Sequence, residues 1–130
     1  MRNGVIREMY ENISGASVND LINSSKFPDQ PDSKSIISDF FDAPINVAEN
    51  YGQRMYAWFR PNATGFYKFA IAGDDNSQLF ISTNESPENV VKIAEVPDWT
   101  EYQQFTKYES QTSSSRFLVS GNSYYMQALM

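Results

Sequence analysis

The chain has 130 residues and a net charge of −6, and it contains no cysteine and no histidine. These features exclude disulfides, Cys–His zinc sites and histidine general bases, and the acidic balance argues against a nucleic-acid partner. The length fits one domain, and no apolar run approaches the roughly 20 residues that a membrane-spanning helix needs. Aromatic residues make up 15% of the chain, which favours strands.

The first third of the chain alternates short apolar runs with turn signals. Residues 4–10 predict a strand, and residues 17–23 predict one or two helical turns that packing would have to hold in place. Two prolines make residues 26–34 a predicted loop. Residues 36–41 are expected to return apolar side chains to the core, and residues 45–50 predict a turn of helix or an extended connector.

The middle of the chain, residues 51–83, predicts three strands separated by two turns. Residues 51–60 carry apolar side chains on both faces, which is typical of a strand covered on both sides or of one with a working aromatic face. Proline and glycine in residues 60–65 predict a hairpin into a second strand, residues 66–72. The turn at residues 73–76 leads into the third strand.

Short strands continue to the end of the chain, with predictions at residues 90–96, 117–119 and 123–130. Turn signals recur about every ten residues, and helix is scarce. The pattern therefore predicts an all-β fold, an antiparallel β-sandwich with short helical turns near residues 17–23 and 45–50.

The acidic corner, Asp74-Asp75 within the turn 73–76, is open to two interpretations. Adjacent side chains on extended backbone normally lie on opposite sides. A cis peptide would bring both carboxylates to one side at a cost of about 3 kcal/mol, and there they would suit Ca²⁺, which takes roughly six to eight oxygen ligands. The same residues are also good turn formers, because their side chains accept hydrogen bonds from backbone N–H groups.

Other candidate groups have two interpretations each. Trp58, Trp99, Tyr102 and Tyr108 are suited to stacking on a sugar ring, and equally to a place in the core or at its rim. Glycosylation sequons at four asparagines are compatible with an extracellular protein, and some are expected by chance; they are Asn12, Asn23, Asn62 and Asn84. Neither a nucleophile beside a base nor a separated pair of carboxylates is evident, so the sequence predicts a non-catalytic domain.

Five blocks in fixed order resemble the protective-antigen (PA-14) domain family. They are REMYENISGASVNDL, FDAPINVAENYGQRMYAWFRP, TGFYKFAIAGDDNSQLFIST, IAEVPDWTEYQQFTKYESQTS and SGNSYYMQALM, and they are spread over the whole chain. The sequences of these blocks are most similar to those of the domains in fibrocystin-like ectodomains and large bacterial surface proteins. The resemblance implies a β-sandwich spanning residues 1–130 that lacks the family's last C-terminal segment.

The resemblance also implies a site. In flocculin-type members an Asp-Asp pair joined by a cis peptide holds a Ca²⁺ ion that grips sugar hydroxyls, and this motif falls on Asp74 and Asp75. A second loop completes the site in such members, and here residues 107–115 offer Glu109 as the further metal ligand. The residues then expected to contact a glycan, besides the two aspartates, are Asn76, Gln111, Trp99 and Tyr108.

In functional terms, the resemblance implies an extracellular or cell-surface carbohydrate-binding module, assisted by Ca²⁺, within a larger protein. Its partners would be glycans or neighbouring domains, without nucleic acid and without insertion into a membrane. The alternative is a structural or protein-interaction module in which the acidic corner is only a turn.

Overall fold

A computed structural model describes residues 5–11, 13, 18–37, 51–72, 76–98, 100 and 104–129. Its strands and one α-helix are, in chain order, β1 (Val5–Glu11), α1 (Val18–Ile22), β2 (Ser33–Ile37), β3 (Tyr51–Phe59), β4 (Gly65–Tyr67), β5 (Ser77–Ser82), β6 (Val90–Val96), β7 (Arg116–Leu118) and β8 (Tyr124–Leu129). Two 3-10 turns lie at Pro87–Asn89 and Glu109–Gln111. The helical turn predicted near 45–50 falls outside the described residues.

The strands form two antiparallel sheets, which confirms the predicted β-sandwich. The large sheet has six strands in the order β2-β1-β3-β8-β5-β6, and the small sheet pairs β4 with β7. An isolated bridge between Ala70 and Thr112 continues the small sheet beyond its regular strands. The last strand, β8, lies in the middle of the large sheet between β3 and β5.

The hairpin predicted at residues 60–65 is wrong. β3 pairs with β1 and β8 in the large sheet, whereas β4 pairs with β7 in the small sheet, so the connection crosses from one layer to the other. Proline and glycine specify that the chain turns, but they do not specify which strand it meets next. The regular strand also ends at Tyr67 rather than at residue 72.

The main core lies between the two sheets. Side chains from every second position of the large sheet meet side chains of the small sheet, as expected for strands of period two. The buried members are Val5, Met55, Ile71, Leu79, Ile81, Ala94, Val96, Leu118, Tyr124, Met126 and Ala128. Residues 36–41 were expected to return apolar side chains to the core, and Ile36 is the one side chain of this run that the structure describes. The prediction is wrong for Ile36, which lies on the outer face of β2 and is 77% exposed.

Helix α1 covers part of the outer face of the large sheet, and its position confirms the predicted helical turn. It has only five residues and is held by packing. Val18 and Leu21 are buried in a second cluster with Tyr10 and Leu129. Gly52 makes the close approach possible, because a Cβ atom at this position would lie 2.7 Å from Leu21 Cδ1 and 3.2 Å from its Cβ.

A buried ion pair lies next to this helix on the same face. Glu8 is 4% exposed, and its Oε1 accepts a hydrogen bond from Arg54 Nε at 2.9 Å and lies 2.6 Å from Arg54 Nη2. The Tyr10 hydroxyl lies 3.0 Å from the same oxygen and 2.8 Å from Pro28 O. Glu8 and Arg54 are direct register partners of β1 and β3, so the pair joins neighbouring strands.

Within the described ranges, no helix has the length and apolar character that crossing a bilayer requires.

Gly52→Ala is expected to lower the free energy of unfolding by about 1–3 kcal/mol, because the added methyl group overpacks the contact with Leu21. Gly65→Ala is the matched control, since a Cβ atom there meets nothing within 4 Å. Urea unfolding of both variants and the parent measures the difference. Equal stability of the two variants would contradict the close contact between α1 and β3.

Candidate functional site

The predicted site lies at the end of the sandwich where β5 begins. Asp74, Asp75 and the peptide bond that joins them lie outside the described residues, as do Trp99 and Tyr102. The residues on both sides of the acidic corner are described, namely Ile71 and Ala72 before it and Asn76 after it. We call this region, residues 71–76 together with the adjacent loop 107–115, the corner end.

Asn76 fixes the exit from the acidic corner. Its Oδ1 accepts a hydrogen bond from Val18 N at 2.8 Å, and its Nδ2 donates to Val96 O at 2.7 Å. One amide therefore joins the start of β5 to the first residue of α1 and to the last residue of β6. Asn76 was predicted to contact a ligand, and the structure assigns both ends of its side chain to these two anchoring bonds.

Gln111 fixes the entry to the corner in the same way. Its side chain is fully buried, Oε1 accepts from Tyr108 N at 2.7 Å, and Nε2 donates to Ile71 O at 2.8 Å and to Gln104 O at 2.7 Å. The predicted ligand contact at Gln111 is corrected here, because an amide without exposed surface and with these three main-chain partners has nothing to offer a glycan. Its role is structural.

The loop 107–115 runs beside the strand segment that enters the corner. Ile71 N donates to Gln111 O at 2.9 Å, and Ser113 N donates to Phe69 O at 2.7 Å. Ser110 Oγ donates to Glu95 O at 2.8 Å, which attaches the same loop to β6. Loop 107–115 is therefore fixed beside Ile71, the strand segment that leads towards the acidic corner.

Glu109 and Tyr108 differ in how accessible they are. Glu109 is exposed, and its carboxylate has no hydrogen-bond or ion-pair partner among the described residues. Tyr108 is half-buried against the main core, with Lys107 Nζ 5.4 Å from its ring centroid. Glu109 is therefore free to bind a ligand, whereas Tyr108 has only part of its ring to present.

The described residues contain no group of three or more carboxylate, histidine or cysteine side chains that would hold a metal ion. That finding does not cover Asp74 and Asp75, which fall outside the described ranges. The predicted set of Asp74, Asp75 and Glu109 therefore stays a prediction.

Trp58 lies away from the corner end, on the outer face of the large sheet. Its Nε1 donates to Glu85 O at 3.0 Å, and its ring meets Tyr125 edge-on with centroids 5.4 Å apart. Trp58 pairs with Tyr125 of β8, whereas Leu129, four residues further along β8, is the partner of Gln78 near the start of β5. The distance along the strand is roughly 13 Å.

Burial and nearby charges shift the pKa values of three side chains on the outer face of the large sheet, Tyr10, Arg54 and Tyr125. Burial raises the pKa of Tyr125 to about 12, although the nearby Arg54 charge works in the opposite direction. Burial likewise raises the pKa of Tyr10 well above its usual value. Burial works to lower the pKa of Arg54, but the hydrogen bond and charge of Glu8 outweigh it, and the net shift is upward.

Three of the four sequon asparagines are described, and all three are exposed: Asn23, Asn62 and Asn84. Asn84 also has a local structural role, because its Oδ1 accepts from Ser86 N at 2.9 Å. Asn12 falls outside the described ranges.

No family model matches the chain. Its sequence is similar to that of a mouse (Mus musculus) enzyme, N-acetyl-beta-glucosaminyl-glycoprotein 4-beta-N-acetylgalactosaminyltransferase 1, with 31% identity over 125 residues. This similarity covers 93% of the chain, and the chain spans 12% of the length of that curated relative.

The fold is similar to two solved structures from Candida glabrata. They are the epithelial adhesin 9 A domain (TM-score 0.59, 16% identity, 98% of this chain and 75% of that one) and the epithelial adhesin 6 A domain (0.54, 12%, 99% and 74%). Both were solved in complex with Galβ1-3GlcNAc. At these identities the likeness establishes the fold alone, a β-sandwich.

Asn76→Ala is expected to lower the free energy of unfolding by about 1–3 kcal/mol, because Val18 N and Val96 O both lose their side-chain partner. Asn62→Ala provides the control, since Asn62 is exposed in a turn. Chemical denaturation of both variants tests the difference. If Asn76→Ala and Asn62→Ala were equally stable, Asn76 would not be an anchor.

Stability is expected to fall as the pH rises from 10 towards 12. Below pH 10 the tyrosines are protonated in both states; above it the unfolded chain loses protons first, because the folded-state pKa values of Tyr10 and Tyr125 are raised. Tyr125→Phe should make the decline shallower, since one titrating group is removed. Urea unfolding at pH 8 to 11.5 measures both slopes, and identical slopes would contradict the buried state of the Tyr125 hydroxyl.

Proposed function

We propose that this chain is a PA-14-type, non-catalytic carbohydrate-binding module whose glycan site is the corner end. The observation that carries the proposal is a pair of hydrogen bonds between Ile71 and Gln111, one between their backbones and one from the Gln111 side chain to Ile71 O. Together they hold loop 107–115 beside the entry to the acidic corner. A sugar site built from two loops needs that neighbourhood. The fold similarity to two adhesin domains that bind Galβ1-3GlcNAc supports the choice of ligand class.

The names of the similar proteins agree on one sugar. The adhesin complexes contain GlcNAc at one end of the disaccharide, and the mouse relative is named as a transferase acting on an N-acetyl-β-glucosaminyl glycoprotein. The chain matches a small part of that enzyme, so a binding role beside a catalytic domain is compatible with the similarity. A glycan containing GlcNAc is therefore the ligand we propose.

Calcium is the proposed assistant of binding. The carboxylates of Asp74, Asp75 and Glu109 are hard oxygen donors of the type that Ca²⁺ prefers, and Glu109 has no competing partner within the described part of the chain. When bound, the ion would supply open coordination positions that vicinal sugar hydroxyls fill. Asn76 and Gln111 keep the two loops in place, and Trp99 and Tyr108 are the aromatic side chains proposed to meet the sugar ring.

The proposed setting is extracellular or cell-surface, within a larger protein. There, the exposed sequons at Asn23, Asn62 and Asn84 would carry glycans. These modifications would lie on turns, away from the main core.

A protein-interaction role is the second candidate, and one observation favours it. The outer face of the large sheet carries a lateral row formed by the exposed Ile36 and the half-buried Ile6 and Tyr56. The exposed Trp58 lies next to this row. Outer faces of antiparallel sheets are usually polar, and exposed apolar patches often mark contacts with other proteins.

The test compares the parent with the double variant Asp74→Asn/Asp75→Asn, which keeps side-chain size and removes both charges. Isothermal titration calorimetry measures Galβ1-3GlcNAc binding at about 1 mM calcium, a concentration that suits extracellular modules. We expect binding to weaken at least tenfold in the double variant and after chelation. Asp29→Asn, at an exposed loop position, is the matched control and should bind like the parent.

Two outcomes would count against the proposal. Glycan binding that survives both chelation and the double substitution would remove calcium from the mechanism. A folded parent protein that binds no glycan on an array would leave the protein-interaction role as the better account.

A further inference from the structure

A second candidate site lies between the two sheets, beside β7. Leu118 is 4% exposed and belongs to the main core, so it faces the large sheet. Arg116 is two residues away on the same strand and therefore shares that face. Phe117, between them, is on the opposite face, where it is 56% exposed and its ring lies 5.3 Å from that of Phe66.

The gap that Arg116 faces is a cleft of about 380 Å³. Its lining residues come from both layers and are rich in hydroxyl groups; they are Ser82, Thr83, Ser115, Arg116, Phe117, Leu118 and Tyr124. Two of these hydroxyls already serve the fold, since Ser82 Oγ donates to Ser86 O at 2.7 Å and Tyr124 Oη accepts from Val119 N at 2.9 Å. Thr83 and Ser115 are exposed, and among the described residues their hydroxyls have no partner.

The charge of Arg116 is uncompensated within the described part of the chain. No described carboxylate lies within 4.0 Å of its guanidinium, whereas Lys26, Arg54 and Lys92 each pair with one. The whole chain has 16 acidic residues against 10 basic ones. Among the described arginines only Arg54 has a carboxylate partner, and Arg116 differs from the buried Arg7 in lining an open cleft. A core-facing strand position is ordinarily apolar, and a cation there calls for a counter-charge.

We propose that this cleft binds an oxyanion, with Arg116 as its charge partner and the Thr83 and Ser115 hydroxyls as additional donors. A guanidinium matches sulfate, phosphate and carboxylate groups with two parallel N–H bonds. The carrier that we assign is an acidic saccharide with a sulfate ester; this choice of carrier rests on the proposed function, whereas the oxyanion site rests on the cleft itself.

The cleft overlaps the corner end only at Ser115, the last residue of loop 107–115. Thr83 follows the last residue of β5, and Asn76 precedes the first, so the two sites are separated by seven strand positions, roughly 23 Å. Binding in the cleft involves no residue of the proposed calcium set. It should therefore persist in the presence of a chelator.

Titration with sodium sulfate tests the oxyanion site, in a chelator and at an ionic strength held constant with sodium chloride. The Arg116 Nε–Hε signal in ¹⁵N NMR spectra should shift and saturate. Saturation should require at least tenfold more sulfate in Thr83→Val. Isothermal titration calorimetry with sulfate should give a saturable heat of binding in the parent and none in Arg116→Gln. Lys68→Gln removes the same charge from an exposed position outside the cleft and should leave both unchanged.

Galactose 6-sulfate and galactose then test the carrier. Tighter binding of the sulfated sugar than of sulfate, by tenfold or more, with no binding of galactose in the cleft, is the expected result. Equal binding of sulfate and galactose 6-sulfate would overturn the saccharide carrier and leave a site for free oxyanions.

A shift that is linear in sulfate, or heat that is unchanged in Arg116→Gln, would overturn the whole proposal. Such a failure is separable from failure at the corner end, because calcium-dependent binding of Galβ1-3GlcNAc is measured without sulfate and depends on Asp74 and Asp75.

Discussion

Two side-chain amides hold the corner end together, and the architecture around the acidic corner depends on them. The small sheet has only three residues in each regular strand, too few to be stable alone. Its continuation towards the corner is irregular, and there Gln111 supplies from its side chain the bond that Ile71 O would otherwise lack. Asn76 does the same for Val18 N and Val96 O on the other side of the turn. Removal of either amide would leave peptide groups unpaired at the edge of the core.

At the corner end, the residues that hold the loops in place differ from the residue that is free to contact a ligand. The amides of Asn76 and Gln111 are consumed by backbone groups, so they contribute position, whereas Glu109 sits two residues from Gln111 with an uncommitted carboxylate. Because buried bonds fix the base of its loop, the backbone at Glu109 loses little freedom when the side chain binds a ligand. Preorganisation of this kind favours affinity. The same division explains why a supporting glutamine is mistaken for a contact residue when only its neighbours in sequence are considered.

Local patterns predicted the elements well and their partners poorly. The period-two alternation gave β1, β3, β6 and β8 close to their observed limits, and the short helix lies where its apolar spacing placed it. The turn at 60–65 was recognised as a turn, but its pairing was not, because β4 meets a strand about 50 residues later in the chain. Gln111 was similarly out of reach: its burial is decided by Ile71, 40 residues away in sequence, and no local signal encodes that contact.

The Glu8–Arg54 pair connects the outer face to the corner end. A buried ion pair is weak evidence for stability, because desolvation offsets much of its attraction, but it is well suited to defining register. A slip of one residue between β1 and β3 would turn Arg54 towards the main core and separate it from Glu8. The correct register places Gly52 opposite Tyr10, beneath Leu21, where only a glycine admits the helix without a shift.

With α1 seated on Gly52, Val18 N lies within reach of Asn76, and the exit of the acidic corner is fixed. The ion pair is therefore linked to the candidate site in three steps. It favours one register of β1 and β3, this register places Gly52 beneath α1, and α1 presents Val18 N to Asn76. We infer that the buried charges serve the register of β1 and β3 more than stability, and that they support the candidate site through that register.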